Sequence, residues 1–276
     1  MFLVTGATGN VGSEVMQALR LAGAPVRALV RAPADLPVEQ VVGDLDRPDS
    51  LAAALAGVRG VFLLPGYRDM AGTTAELAKA GVERVVLLSS QAAVATDTAN
   101  PISAFMIASE AAVRGSGLAW TILRPAAFMS NTFRWLPQLG QGDLVRDAFG
   151  DVPIASIDPA DIAAVTAKAL LEPGHEGRAY SLTGPEALLP ADRLRILGRA
   201  LGRRLRFQAL TEEEAWAQMS ATTPTEYVKA FFSFYRDRTI DETTLHPTVE
   251  QVTGRPPRTF DQWATTHAWR FQNVNS

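Results

Sequence analysis

The sequence predicts an α/β protein built on a doubly wound parallel sheet, with a small, mainly helical cap at its C-terminal end. In the first two thirds of the 276 residues, short apolar runs alternate with segments of helical periodicity, which is typical of βαβ units and a parallel sheet. The first of these runs leads directly into a loop with regularly spaced glycines. From Pro185 onward the strand pattern stops, and amphipathic helical patterns follow.

The sheet is predicted from short apolar runs separated by helical patterns. In the first connection, Val11, Val15 and Leu19 lie one helical turn apart, and Leu51 and Leu55 repeat this spacing in a later one. Each of these helices therefore has one apolar face for the sheet. The predicted strands cover residues 2–5, 26–31, 40–43, 60–64, 84–89 and 119–124.

Beyond Pro125 the sheet is predicted to continue. The segment IASIDPADIAAVTAKALL at 154–171 predicts a strand and a helix, and RAYSLTG at 178–184 predicts a further strand. The sheet is expected to end near Gly184. Residues 1–184 then form the first domain, and residues 185–276 form the cap, with a contribution from about residues 129–150.

Three helical patterns define the predicted cap. LPADRLRILGRALG at 189–202 is amphipathic, and Thr211 with Glu214 forms a capping box that opens a second helix. A third helix carries aromatic residues at helical spacing, which favours core packing against the sheet domain. These aromatic residues are Tyr227, Phe231, Phe234 and Tyr235.

Composition excludes several classes of function. The chain has no cysteine, which excludes disulfides, thiolate zinc sites, iron–sulfur clusters and a cysteine nucleophile, and no metal is expected. The net charge of −3 provides no basic surface for nucleic acid. No apolar run approaches the roughly 20 residues that cross a bilayer, and the first strand leaves no room for a signal peptide. We expect a cytoplasmic monomer or homodimer with neither membrane nor nucleic-acid partners.

The glycine loop LVTGATGNVGSEV at 3–15 places Gly6, Gly9 and Gly12 between the first strand and the first helix. In this setting Gly6 permits a tight turn, Gly9 allows a ligand to approach the backbone, and Gly12 lets the helix pack closely. The helix N-terminus would stabilise a pyrophosphate, which predicts a Rossmann-type dinucleotide site. The alternative is a purely structural glycine turn.

The residue after the second strand distinguishes NADP from NAD. An acidic residue there would bind the ribose 2′-hydroxyl, whereas an arginine accommodates a 2′-phosphate. The strand ends in Arg31, and Asp35 lies in the loop after Pro33. NADP(H) is therefore favoured and NAD(H) stays possible, because Arg31 could also be a solvated charge at the strand end.

Six motifs give the chain a resemblance to the NmrA-like group of atypical short-chain dehydrogenases/reductases, with its triphenylmethane-reductase and quinone-reductase relatives. The resemblance covers nearly the whole chain. Its motifs are TGATGNVG at 5–12, VVGDLDRPDSL at 41–51, VVLLSS at 85–90, SGLAWTILRPAAFMSN at 116–131, IDPADIAAV at 157–165 and TGRPPRTFDQW at 253–263.

The resemblance implies a cofactor site at the carboxyl ends of the strands, in addition to Gly6, Gly9, Gly12 and Arg31. Pyrophosphate contacts fall to Thr8, Asn10 and Val11, and adenine contacts fall to Asp44 and Leu45. The ribose is expected beside Leu63, Leu64 and Pro65. The nicotinamide is expected beside Ser89, Ser90, Met106, Pro125, Ala126, Ala127 and Phe128.

The chain departs from the superfamily at its proton-donating dyad. Most members protonate the substrate with a tyrosine that has a lysine four residues further along the helix, but Tyr67, Tyr180, Tyr227 and Tyr235 have no lysine at that spacing. Ile102 and Met106 stand at the dyad positions, and Gln91 stands where a catalytic serine or threonine is common. Ile102 and Met106 cannot transfer a proton.

Two functions remain. The first is an NADPH-dependent oxidoreductase that transfers hydride to a conjugated aromatic or quinone-like small molecule, whose charge delocalises without a dedicated acid. The second is a non-catalytic NADP-sensing regulator. The first is favoured by the apolar cleft expected beside the cap. The catalytic candidates are Gln91 and Asn131, and the substrate candidates are Tyr67, Gln91, Phe128, Met129, Asn131, Trp135 and Phe231.

Overall fold

The computed structural model describes residues 1–95 and 98–272 and contains a parallel sheet of seven strands within those ranges. The order β3-β2-β1-β4-β5-β6-β8 places the glycine loop after the interior strand β1, at the point where the strand order reverses. The strands are β1 (Phe2–Thr5), β2 (Val26–Val30), β3 (Glu39–Val42), β4 (Gly60–Leu63), β5 (Arg84–Leu88), β6 (Ala119–Pro125) and β8 (Arg178–Leu182).

Helices cover both faces of this sheet, as predicted. On one face α1 (Asn10–Leu21) and α6 (Pro159–Leu171) pack together around Val15 and Leu19. On the other, α2 (Ala52–Leu55), α3 (Met70–Lys79) and α4 (Pro101–Arg114) lie over a second core. The doubly wound, Rossmann-type fold predicted from the sequence is confirmed.

The cap is mainly helical and has its own core. Its helices are α5 (Leu136–Leu139), α7 (Pro190–Leu201), α8 (Glu212–Ser220), α9 (Thr225–Tyr235), α10 (Thr248–Thr253) and α11 (Phe260–Gln272). A small parallel pair, β7 (Leu144–Asp147) and β9 (Arg206–Ala209), joins the 129–150 segment to the C-terminal region. The capping box between Thr211 and Glu214 is present at the start of α8. Helix α10 of the predicted cap packs against α6 and β8 of the predicted sheet domain, so the two parts share contacts. The boundary at residue 184 stays a prediction.

The strand predicted at the start of 154–171 is wrong. Ile154 and Ile157 make only isolated bridges, to Leu188 and Phe128 respectively. Their backbone groups bond to loops that follow β6 and β8, so this segment connects the sheet to the cap and adds no strand. Among the described helices, none is long and apolar enough to cross a membrane.

Candidate active site

The glycine loop forms a cradle at the N-terminus of α1. Gly6 has a φ of +62°, and its carbonyl accepts a hydrogen bond from the Gly9 N–H at 2.9 Å. A Cβ on Gly12 would lie 2.1 Å from the Gly6 oxygen, whereas a Cβ on Gly9 would meet only that oxygen, at 3.3 Å. Gly12 therefore packs the helix onto the loop, and Gly9 leaves open space beside the helix N-terminus. The first N–H groups of a helix lack intrahelical acceptors, so this cradle fits a pyrophosphate.

The residues around this cradle differ in exposure. Thr8 and Asn10 are exposed at the mouth of the loop. Val11 is buried in the core beneath α1, so only its main chain is available to a dinucleotide. The side chain of Leu64 packs over Gly6, and the Leu64 N–H donates to Thr5 Oγ1 at 3.0 Å.

Arg31 and Asp44 lie at the ends of adjacent strands. Arg31 is exposed directly after β2, and none of the ion pairs among residues 1–95 and 98–272 includes it. Asp44 Oδ1 accepts the Asp46 N–H at 3.0 Å, which fixes the turn after β3. Leu45 and Leu63 are buried in the core, so only their main chains are available to a dinucleotide, and their contacts with adenine and ribose stay predictions. Pro65 is half-buried after β4.

Tyr67 was predicted to contact substrate, but it lies toward the Arg31 end of the sheet. Burial raises the pKa of its phenol, while the charge of Arg31 lowers it and those of Asp46 and Asp44 raise it. Tyr67 lines a separate cavity of about 260 Å³ beside Phe105. Its position therefore suits the adenosine half of a dinucleotide, and the geometry gives its predicted substrate role no support.

Ser89 is part of a buried polar cluster that fixes the ends of β5 and β6. Its hydroxyl donates to Glu110 Oε1 at 2.7 Å, and Arg124 donates to both carboxylate oxygens of Glu110 at 2.8 and 2.6 Å. Burial acts to raise the pKa of Glu110, but the hydrogen bonds from Arg124 and Ser89 outweigh it and hold the pKa below its ordinary value. The Ser89 side chain is therefore engaged with Glu110 and fixes the strand ends beside the site.

Beside this cluster lies a cavity of about 330 Å³ at the carboxyl ends of β5 and β6. The structure brings together here most of the residues that the resemblance assigns to nicotinamide, including the two apolar dyad positions. Its lining includes Ser90, Ile102, Met106, Pro125, Ala126, Ala127, Phe128, Tyr227, Phe231, Tyr235 and Glu242.

A larger cavity of about 750 Å³ adjoins the first and extends under the cap. The two cavities share Ala127, Asn131, Phe231 and Tyr235, so a molecule in the larger one lies next to the expected nicotinamide. The larger cavity also has apolar walls from α8 and from the loop after β7, and charged groups at one side. This joint space fits a small-molecule substrate beside a cofactor.

Three predicted substrate residues lie elsewhere. Met129 and Trp135 are each 1% exposed and belong to the cap core. Trp135 Nε1 donates to Asp147 Oδ2 at 2.6 Å and so orients a cavity-lining carboxylate. Gln91 is buried with no hydrogen-bond partner for Nε2, and among the described residues it lines neither cavity. Its predicted catalytic and substrate roles therefore have no support in the geometry.

The structure also places at the shared wall a pair that the sequence analysis missed. Tyr235 Oη donates to Glu242 Oε2 at 3.2 Å, and the Ala127 N–H also bonds to Glu242. Burial raises the pKa of Glu242 to about 7 and raises the pKa of Tyr235 well above 10. Tyr235 was expected to be plain core. The spacing of four residues between Phe231 and Tyr235 places both on one face of the helix and could have indicated a shared site. No sequence pattern marks Glu242.

The reversed strand order, the glycine cradle and two joined cavities at the strand ends define a dinucleotide-dependent oxidoreductase. The chain belongs to the NAD(P)H-binding family, whose model matches residues 6–173.

Named relatives match nearly the whole chain. It is 43% identical over 280 residues to a (4-alkanoyl-5-oxo-2,5-dihydrofuran-3-yl)methyl phosphate reductase from Streptomyces griseus, covering 98% of this chain and 99% of the relative. It is 37% identical to an NAD(P)H azoreductase from Xenophilus azovorans, with 98% and 99% covered. An NADPH-dependent quinone oxidoreductase from Escherichia coli shares the fold with a TM-score of 0.79 at 24% identity, covering 96% of this chain and 99% of that one.

These findings confirm the resemblance to a family of reductases and the prediction of an NAD(P)H-dependent oxidoreductase that acts on a small molecule. The enzyme is thereby supported over the alternative of a non-catalytic sensor. The role of each site residue stays a prediction.

Proposed function

We propose that the protein reduces a conjugated, electron-poor small molecule, quinone-like or an unsaturated carbonyl compound, with NADPH as the hydride donor. The observation that carries the proposal is the wall shared by the two cavities, formed by Ala127, Asn131, Phe231 and Tyr235. When bound, the reduced nicotinamide supplies the hydride. The Streptomyces relative is named for an unsaturated oxo-furan ring and the Xenophilus relative for azo compounds, and both groups are conjugated acceptors.

The aromatic residues of α9 orient the acceptor and exclude water. Phe231 and Tyr235 are stacked with an interplanar angle of 2° and a centroid distance of 6.5 Å. The ring of Phe149 is tilted against that of Tyr235, with 5.3 Å between the two ring centroids. Asn131 is exposed to both cavities and supplies an amide that can hydrogen-bond an acceptor oxygen. A flat conjugated ring fits between such walls, and fixed positioning accelerates hydride transfer.

Tyr235 and Glu242 provide the proton that follows hydride. Addition of hydride to a conjugated acceptor leaves a negative charge on an oxygen or carbon, and Tyr235 Oη lies at the wall of both cavities. Tyr235 donates its proton to that charge, and the protonated carboxyl of Glu242 restores it through their hydrogen bond. A carboxyl with a pKa near neutrality suits this role. Tyr235, at the end of α9, and Glu242, in the segment after α9, thus take the role of the tyrosine–lysine dyad that is missing from α4.

The test is NADPH oxidation, followed by nicotinamide absorbance, with a panel of quinones and unsaturated lactones. Tyr235→Phe removes the hydroxyl while keeping the ring, and we expect kcat to fall by about a hundredfold, since general acid catalysis contributes on that order. Tyr180→Phe is the matched control, because Tyr180 lies in β8 and its hydroxyl contacts His175. Binding of NADPH should be unchanged in both variants. Undiminished turnover by Tyr235→Phe would refute the proton role, and no turnover of any acceptor by the wild type would refute the function.

We further propose a NADPH preference through Arg31, and a cytoplasmic enzyme that works as a monomer or homodimer. The absence of cysteine in the chain supports a reducing compartment. Sedimentation analysis of the purified enzyme at several concentrations distinguishes the two assembly states.

A further inference from the structure

Arg193 is a buried cation without a counter-ion. It lies on α7, is 3% exposed and lines the larger cavity. Its Nε has no hydrogen-bond partner, and none of the ion pairs among the described residues includes it. Burial and the neighbouring Arg134 lower the pKa of Arg193 to about 10, so the guanidinium stays charged at neutral pH. The guanidinium carbon of Arg193 lies 5.8 Å from the centroid of the Trp135 ring, which is a cation–π neighbour but supplies no negative charge. A buried charge without a counter-ion is costly, which points to an anionic ligand.

The nearest acidic groups are already bonded to other donors. Asp147 Oδ2 accepts Arg134 Nε and Nη2 at 2.9 and 2.7 Å and Trp135 Nε1 at 2.6 Å, while Oδ1 accepts the Ala148 N–H at 2.9 Å. Glu242 bonds to Tyr235 and to the Ala127 N–H. With Arg134 balanced by Asp147, the charge of Arg193 leaves this side of the cavity positive.

Neutral donors surround the same space. Ser130 lines the cavity, is 4% exposed, and its Oγ has no hydrogen-bond partner. Thr222 and Thr223 lie on the facing loop between α8 and α9. Arg193 and Ser130 therefore line one cavity together with two threonines, and each has a buried polar atom, Arg193 Nε and Ser130 Oγ, without a hydrogen-bond partner. Such a set of donors is typical of sites for phosphate or carboxylate.

We propose that this side of the cavity is an anion subsite, in which Arg193, assisted by Arg134 and Ser130, binds a phosphate or carboxylate group of the substrate. The proposal rests on the proposed function, because the conjugated part of the substrate must then reach the shared wall. Binding of the anionic group at Arg193 holds the conjugated part beside Tyr235 and the expected nicotinamide. This fixed orientation favours hydride transfer.

The first experiment is independent of turnover. Inorganic phosphate and acetate are titrated separately into the NADP-bound wild-type enzyme by calorimetry, at constant ionic strength set with chloride. We expect at least one of the two anions to bind and to raise the melting temperature, since a ligand that binds only the folded state stabilises it. Binding should be lost in Arg193→Met and retained in Arg195→Met. Arg195 is the matched control because it is exposed on the same helix and pairs with Asp192.

The second experiment compares three forms of one conjugated acceptor: its phosphate ester, its carboxylate and its free alcohol. We expect kcat/KM for one anionic form to exceed that for the alcohol by about tenfold or more in the wild type and in Arg195→Met, and this ratio to approach one in Arg193→Met. The preferred form identifies the group. Equal kcat/KM for all three forms in the wild type, with no anion binding, would overturn the subsite. Turnover of the alcohol would still leave the proposed reductase function standing.

Discussion

At the scale of single residues, a charge is informative mainly through its partners. Arg31 and Arg193 are both arginines without an ion pair among the described residues, yet one is exposed and the other is 3% exposed. An exposed arginine costs little to leave unpaired, because water solvates its charge. The lack of an ion pair at Arg31 is therefore only weak evidence of a ligand. A buried arginine is costly without a partner, which is why Arg193 points to a ligand more strongly.

Arg31→Ala should weaken NADPH binding by about tenfold or somewhat more and hardly change NADH binding. A guanidinium meets a 2′-phosphate with two charge-assisted hydrogen bonds, but exposure and salt reduce their net contribution to about 1.4 kcal/mol, which is a factor of ten. Dissociation constants for both cofactors at one stated ionic strength provide the measurement, because screening weakens exposed charge pairs. Arg20→Ala, on the exposed side of α1, is the control. Equal losses for both cofactors would show that Arg31 is only a solvated charge.

At the scale of elements, the β1–loop–α1 unit combines folding and binding in three glycines with different duties. Gly6 takes the positive φ, Gly12 allows contact between helix and loop, and Gly9 borders open space. Spacing alone makes the three equivalent, whereas the contacts separate them. The distinction determines which substitution damages the fold and which damages only the ligand site.

Gly12→Ala should lower the free energy of unfolding by about 1–3 kcal/mol, because its Cβ would lie 2.1 Å from the Gly6 carbonyl oxygen and overpacking costs that much. Gly9→Val should change it by less than about 1 kcal/mol, since a Cβ there meets only one atom, at 3.3 Å. The valine should nevertheless abolish NADPH binding by filling the pyrophosphate space. Urea unfolding and calorimetry measure the two effects. Retained affinity in Gly9→Val would contradict the assignment of the cradle.

At the scale of the whole molecule, the site forms where the cap meets the sheet domain. Glu242 bonds to the Ala127 N–H after β6, and its own carbonyl accepts the Ala155 N–H at 2.7 Å. A second contact pairs Arg258 with Asp161 at the start of α6. Docking of the cap therefore creates the shared wall and buries Tyr235 and Glu242, whose pKa values burial raises.

The docking of the cap should make stability depend on pH through Glu242. Tyr235, Arg193 and Asp241 act on this carboxyl, but burial is the largest cause, and it raises the pKa from 4.5 to about 7. The folded state then keeps its proton after the unfolded state has lost it. The contribution of Glu242 is fully present below about pH 4.5, and it is lost as pH rises to about 7, by on the order of 3 kcal/mol.

Glu242→Gln should remove this part of the pH dependence, because glutamine keeps the shape without the charge. Urea unfolding at about pH 5 and pH 8 measures it, and the loss of stability between them should be smaller in the variant than in the wild type. Glu250→Gln, exposed on α10, is the control. The difference between variant and wild type isolates Glu242 from Asp158 and Asp161, whose pKa values burial also raises. Identical pH profiles would refute a buried, neutral Glu242.

Local periodicity and glycine spacing are enough to predict the sheet, its doubly wound topology, the glycine cradle and the helical cap. The predicted strands at 2–5, 60–64 and 84–89 agree with β1, β4 and β5 to within one residue. The sequence also identified Met106, Phe128 and Asn131 as residues near the site, through a resemblance to a family. The sheet, the cradle and the cap can be predicted because residues close together in the chain specify them.

Which side chains face the cavities depends on how distant segments pack in the folded chain. Met129 follows Phe128 directly in the chain and Trp135 comes a few residues later, yet both turn into the cap core. Tyr235 lines both of the cavities that Asn131 lines, whereas Glu242 lines only the smaller one and Arg193 only the larger one. Their exposure and their pKa values depend on the docking of the cap onto the sheet, a packing of distant segments that no local pattern records, since burial is a property of neighbours in space.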